Sequence, residues 1–171
     1  MKRIAWLAAA IIFVAGVFSI KYFTMLLDSK NSAEVITRTY EYDQDFSNKN
    51  TLVSAADRIF IGEVLEEKER STHNGQPAIL YEVRVTQNIK GALLGGITVI
   101  RDGGYYKKEG QLFLLKYEDN PFLKKGQMYL FTVFQDKEGI YWSMPKYGAE
   151  EIHTEEQKYE LINEIKMLLD N

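Results

Sequence analysis

Residues 78–91, AILYEVRVTQNIKG, set Ile79, Tyr81, Val83 and Val85 against Leu80, Glu82, Arg84 and Thr86. Side chains in a β-strand point alternately to opposite faces, so this period of two predicts a strand with one apolar and one wetter face. Other runs read the same way. Ile59, Phe60, Ile61 and Val64 form one, with Gly62 relieving packing or marking a bulge, and the charged residues 66–70 lead away from the core. GITVIRD, GQLFLLKY, KGQMYLFTVFQD and GIYWSMP follow, separated by turn signals that include Asn74-Gly75 and DKEG. Asn50 or Thr51 is placed to cap a short helix through Ala56.

The C-terminus changes period. Thr154 with Gln157 three residues later has capping-box spacing, and Leu161, Ile162, Ile165, Leu168 and Leu169 form one helical stripe. Five or six antiparallel strands plus this helix predict a mainly β domain. A small OB-like barrel is the first expectation, with a β-sandwich variant as the alternative and the amphipathic helix closing an open face.

Gly91, Gly95, Gly96, Gly103 and Gly104 crowd the strand at 97–101, but no phosphate-loop or dinucleotide fingerprint occurs. They read as turns.

The first thirty residues differ in kind. Lys2 and Arg3 precede an uncharged run at 4–20, long enough for about 25 Å of helix, with Trp6 and Tyr22 near its ends. The expectation is an N-terminal membrane anchor at 1–27, contacting the bilayer through residues 4–27, with a cytoplasmic N-terminus and an extracytoplasmic C-terminal domain. A cleaved signal peptide and a buried helix are the alternatives. Residues 28–50 read as a juxtamembrane spacer, and residues 51–171 as the folded domain.

Residues 31–171 hold 17 basic and 23 acidic side chains, which disfavours a broad nucleic-acid surface, so no nucleic-acid partner is expected. The chain has no cysteine, which removes disulfides, thiolate nucleophiles and zinc–thiolate sites.

The residues Ala56, Asp57, Ile59, Ile61, Gly62 and Val64, then Val83, Val85, Lys90 and Gly91, then Gly126, Tyr129, Leu130 and Phe131 carry a resemblance. Over roughly residues 52–144 the chain resembles a widespread class of uncharacterised bacterial exported or membrane-anchored proteins. The resemblance implies an OB-like barrel related in shape to netrin-like or metalloprotease-inhibitor domains. Inhibitors of that shape rely on an N-terminal cysteine and several disulfides, so their activity is not carried over to this chain.

His73 and His153 lack metal-site spacing, the carboxylates at 66–69 and 150–156 read as surface charge, and no serine sits in a nucleophile elbow. No catalytic, metal or cofactor role is assigned. Two aromatic-flanked lysine pairs are the candidate contact residues: Tyr105, Tyr106, Lys107 and Lys108, then Lys124 and Lys125. The functional expectation is a membrane-tethered extracytoplasmic binding or structural module, with an envelope protein or an anionic polymer as partner. The alternatives are a regulatory accessory acting through the C-terminal helix, and a hydrolase with a site not recognisable from sequence.

Overall fold

The computed structural model describes residues 32–41, 44–73 and 76–170, and only the backbone of residues 69–73. The expected anchor and the Asn74-Gly75 turn lie outside the described residues. Among the described residues, no helix is long and apolar enough to cross a membrane.

The fold is mainly β with a C-terminal helix. Nine strands are described: β1 (Glu34–Arg38), β2 (Arg58–His73), β3 (Gln76–Lys90), β4 (Gly96–Asp102), β5 (Gly104–Lys108), β6 (Gln111–Tyr117), β7 (Met128–Gln135), β8 (Tyr141–Ser143) and β9 (Ala149–Ile152). Two helices accompany them, α1 (Lys49–Ala55) and α2 (Glu155–Leu169). The expected five or six antiparallel strands are therefore too few, and two of the pairings, β1–β6 and β4–β8, are parallel. The extra strands are short. β1 falls inside the expected spacer and is mostly exposed, so it carries no apolar face for a pattern to reveal.

Six strands form one sheet in the order β2-β3-β4-β8-β7-β9, and β2 also pairs with β7. The pairings β2–β3, β3–β4, β4–β8, β8–β7 and β7–β2 thus return to the strand where they began. β2 makes this possible because its first half is paired on both sides. Its ladder with β3 shifts register at several points, one of them between Ile61 and Gly62, and such bulges bend and twist a strand. Gly62 is required there: a Cβ would lie 2.5 Å from Val83 Cγ1. Residues 66–68 leave the core, as expected, without leaving the strand. Gly103 and Gly104, at φ 107° and 119°, carry the chain from β4 into β5 of a second sheet, ordered β1-β6-β5.

Phe60, Val64, Ile79, Tyr81, Val83, Val99, Phe131 and Val133 form one buried cluster from β2, β3, β4 and β7. The opposite side of β2 and β7 supplies Ile59, Ile61 and Leu130, which pack against Leu161, Ile162 and Ile165 of α2. The helical stripe therefore covers the protein's own sheet. Thr154 Oγ1 accepts from Gln157 N at 3.1 Å, and Gln157 Oε1 accepts from His153 N at 2.8 Å, a close variant of the expected capping box. For α1 the cap is Asn48 rather than Asn50 or Thr51, its Oδ1 accepting from both of their backbone N–H groups.

Candidate functional site

The two lysine pairs named from sequence fall on different elements. Tyr105, Tyr106, Lys107 and Lys108 belong to β5, with Tyr106 stacked on Phe113 of β6 at 5.4 Å and both lysines exposed near the β5–β6 turn. Lys124 and Lys125 lie just before β7. The Lys124 ammonium pairs with Glu151 of β9 at 3.1 Å, and its backbone N–H donates to Tyr129 Oη at 3.0 Å. Lys125 is exposed in the turn. Among the described residues, no hydrogen bond or ion pair joins the β5 pair to Lys124 or Lys125.

The carboxylates disperse over the surface. Glu82 pairs with Lys68, Glu151 with Lys124 and Glu155 with Lys158. His153 is exposed ahead of α2, Ser54 is exposed on α1 and Ser143 is buried. Among the described residues, no group of three or more His, Cys, Asp or Glu side chains is placed to hold a metal.

A groove forms instead where the segment before α1 crosses β7 and the chain after β8. Asp45 turns that segment: its carboxylate accepts from Ser47 N at 3.0 Å and Ser47 Oγ at 2.5 Å, which lowers its pKa. Phe46 then projects between two hollows. One, of about 450 Å³, is lined by Glu41, Gln44, Phe46, Phe134, Met144 and Pro145, among others. The other, of about 240 Å³, includes Thr39, Tyr40, Glu118, Lys146 and Tyr147. Tyr40 is held by stacking on Tyr117 at 4.0 Å, and Thr39 by donating to Glu118 at 3.0 Å. Lys146 pairs with Asp119 at 2.9 Å, and both residues adopt left-handed backbone, φ 60° and 53°. Such backbone is uncommon outside glycine and concentrates at functional sites. The groove thus offers an apolar floor with Glu41, Asp45 and Glu118 along its walls, and Lys146, the lysine among its described lining residues, is already paired.

A second polar feature lies on the buried face shared by β3 and β4. Arg101 of β4 is opposite Ile79 of β3 and two residues from Val99, so strand alternation turns it to the same face as that buried pair. It is 4% exposed and donates from Nη1 to Pro121 O at 3.0 Å. Burial pushes its pKa down, opposed by the surrounding Tyr40, Tyr81, Tyr129 and Asp102. Tyr81 Oη is buried without a hydrogen-bond partner; the Leu123 N–H approaches it and acts on its ionisation without ordinary bond geometry. Asn120 Oδ1 is likewise buried and unpartnered, while Asn120 Nδ2 donates to Tyr40 Oη at 2.9 Å. Sequence reasoning missed this cluster. Its one signal was Ile97, Val99 and Arg101 in alternation, which places an arginine in register with two core residues.

Lys90, Asp57 and Gly91 each make contacts that shape the fold. Lys90 Nζ donates to Val53 O at 2.9 Å and Ala56 O at 2.6 Å, capping the end of α1. Asp57 accepts from Gln135 N at 2.7 Å, and Gly91, at φ 79°, lets Arg58 pack where a Cβ would sit. Compared with protein-family models and with curated proteins, the chain finds no match.

Proposed function

We propose that the chain is a membrane-tethered, extracytoplasmic binding module that engages an envelope protein through the groove beside Phe46. The groove carries this reading: an apolar floor of Phe46, Phe134, Met144 and Pro145 beside Glu41 suits a partner that presents an apolar group next to positive charge. An anionic polymer is disfavoured there by Glu41, Asp45 and Glu118, and its natural place is the exposed Lys107–Lys108 end of β5. The cycle of pairings, with its single parallel β4–β8 ladder, supports an OB-like barrel as the scaffold. The apolar run at 4–20 supports the tether. The C-terminal helix is not the contact surface in this reading, because its stripe packs on β2, β7 and β9.

A photo-crosslinking residue placed at Gln44 or at Lys107 of the full-length chain, in intact cells, tests the assignment. A defined protein adduct from position 44 and not from 107 is the expected result. Adducts only from 107, with polymer, transfer the function to the lysine-bearing strand end, and no adduct from either position overturns the binding reading. Protease added outside the cells should remove the folded domain; a protected domain refutes the topology.

A further inference from the structure

An edge strand presents a row of outward N–H and C=O groups that will pair with another strand, and proteins block such edges with lysine, proline or a bulge. β1 carries none of these. Its sequence is EVITR, its register with β6 is unbroken, and all of its residues but Ile36 are exposed. Among the described residues, β6 is the one strand paired with it. The ladder fixes which groups face away from β6. Along a paired strand the backbone groups turn alternately toward the partner and away from it. Arg38 O accepts from Glu118 N at 2.9 Å, so Arg38, Ile36 and Glu34 turn their backbone groups to β6. Val35, 54% exposed, and Thr37 turn theirs outward.

We propose that this edge pairs with β1 of a second copy, antiparallel about a two-fold axis at Ile36, joining the two β1-β6-β5 sheets into one. The five residues fit themselves in that arrangement. Val35 lies opposite Thr37 of the second copy and Thr37 opposite its Val35, and these are the residues whose backbone groups face outward, so each pair exchanges both hydrogen bonds. Glu34 then lies opposite Arg38 at both ends, and Ile36 meets Ile36 at the axis, all in the closer, non-hydrogen-bonded positions. Opposite charges and β-branched pairs stabilise such positions, and like charges destabilise them. Other registers fail. An in-register parallel pair sets Glu34 beside Glu34 and Arg38 beside Arg38. A shift of one residue brings Val35 and Thr37 opposite residues whose backbone groups are committed to β6, and a shift of two loses both ion pairs. In the single copy Glu34 accepts from Gln111 Nε2 at 3.0 Å and Arg38 donates to Gln76 Oε1 at 2.9 Å, so each charge has a neutral amide partner. Exposed ion pairs add little affinity, and here they select orientation and register. The result is an isologous contact that requires neither the groove nor the tether.

The test uses the purified full-length chain in detergent and its lack of cysteine. Ile36→Cys places a thiol at the axis, where facing Cα atoms about 4.5 Å apart lie within disulfide range. Mild oxidation should yield a disulfide-linked dimer roughly fivefold faster than Val35→Cys, whose two thiols sit diagonally at about 7–8 Å. Adding Glu34→Arg or Arg38→Glu to Ile36→Cys puts like charges opposite at both ends and should slow the link by a similar factor. Mixing those two variants sets arginine against glutamate at both ends and should restore it. Equal rates for Ile36→Cys and Val35→Cys, charge variants without effect, or no rescue on mixing overturns the proposal. If Ile36→Cys does not fold, sedimentation of the cysteine-free charge variants decides. The unaltered chain and the mixture should sediment as dimers and each variant alone as a monomer; one size throughout refutes the pairing.

Discussion

Lys90→Met separates a structural lysine from a functional one. The Lys90 ammonium reaches from the end of β3 to the last carbonyls of α1, donating to Val53 O and Ala56 O at 2.9 and 2.6 Å. A seven-residue helix has little stability of its own, and its C-terminal carbonyls need partners. Hydrogen bonds to a charged group each contribute about 1.5–3 kcal/mol, and the half-buried ammonium gives back part of that in lost solvation. Methionine keeps an apolar stem and removes only the charge and donors. The expected loss is about 2–3 kcal/mol, which lowers the urea midpoint by roughly 1 M at an m-value of about 2 kcal/mol/M. Hydrogen exchange at the Ala56 amide, which donates to Leu52 O, should accelerate alongside. Lys107→Met, on the exposed end of β5, is the control and should change stability by less than about 0.5 kcal/mol. A Lys90→Met effect as small as the control's would refute the capping role.

Three further outcomes follow from the same contacts. Gly62→Ala should destabilise by about 1–3 kcal/mol in denaturant melts, since its Cβ would meet Val83 Cγ1 at 2.5 Å and Phe60 at 3.1 Å. Thr154→Ala removes the oxygen that accepts from Gln157 N and should cost about 1 kcal/mol, with exchange speeding up in the first turn of α2; no change would mean that Gln157 alone holds the helix start. Burial, its largest cause, pushes the Tyr81 hydroxyl up to about 12, so the folded state keeps a proton that the unfolded chain releases near pH 10. That stability is complete below pH 10 and is lost as pH rises to 12, roughly 2–3 kcal/mol in all; Tyr81→Phe should flatten the slope, and an unchanged slope would refute the burial argument.

The parts of the fold that were legible are those where one side chain in two, or one in three or four, meets the core. β3 was readable because Ile79, Tyr81 and Val83 are buried while Arg84 and Thr86 are exposed, and α2 because Leu161, Ile162 and Ile165 share a face. β1 was not, because its neighbour β6 meets it in parallel and almost none of its side chains is buried. β8 has three residues, too few for any period to register. The groove was illegible for a different reason. It joins Tyr40 and Phe46 to Lys146 and Tyr147 across a hundred residues of chain, and only the return of β7 and β8 beside the α1 segment makes them neighbours. The lysine pairs drew attention because they sit beside aromatics in sequence, yet Tyr106 is engaged with Phe113 and Lys124 with Glu151.

Among the described residues lining the groove proposed as the contact surface there is none of Ala56, Asp57, Gly62, Lys90 and Gly91. Ala56, Asp57, Gly62, Lys90 and Gly91 fix how β2 enters the sheet: one caps a helix, one ties β2 to β7, and the glycines admit Val83 and Arg58. Their contacts are structural, so they bear on the architecture of this chain and leave its activity open. Arg101 is a different case. Its guanidinium, 4% exposed on the face of β4 that carries Val99, donates to Pro121 O and feels the Asp102 charge. A buried guanidinium is costly to desolvate even beside a carboxylate, so this position departs from the apolar pattern of its own strand.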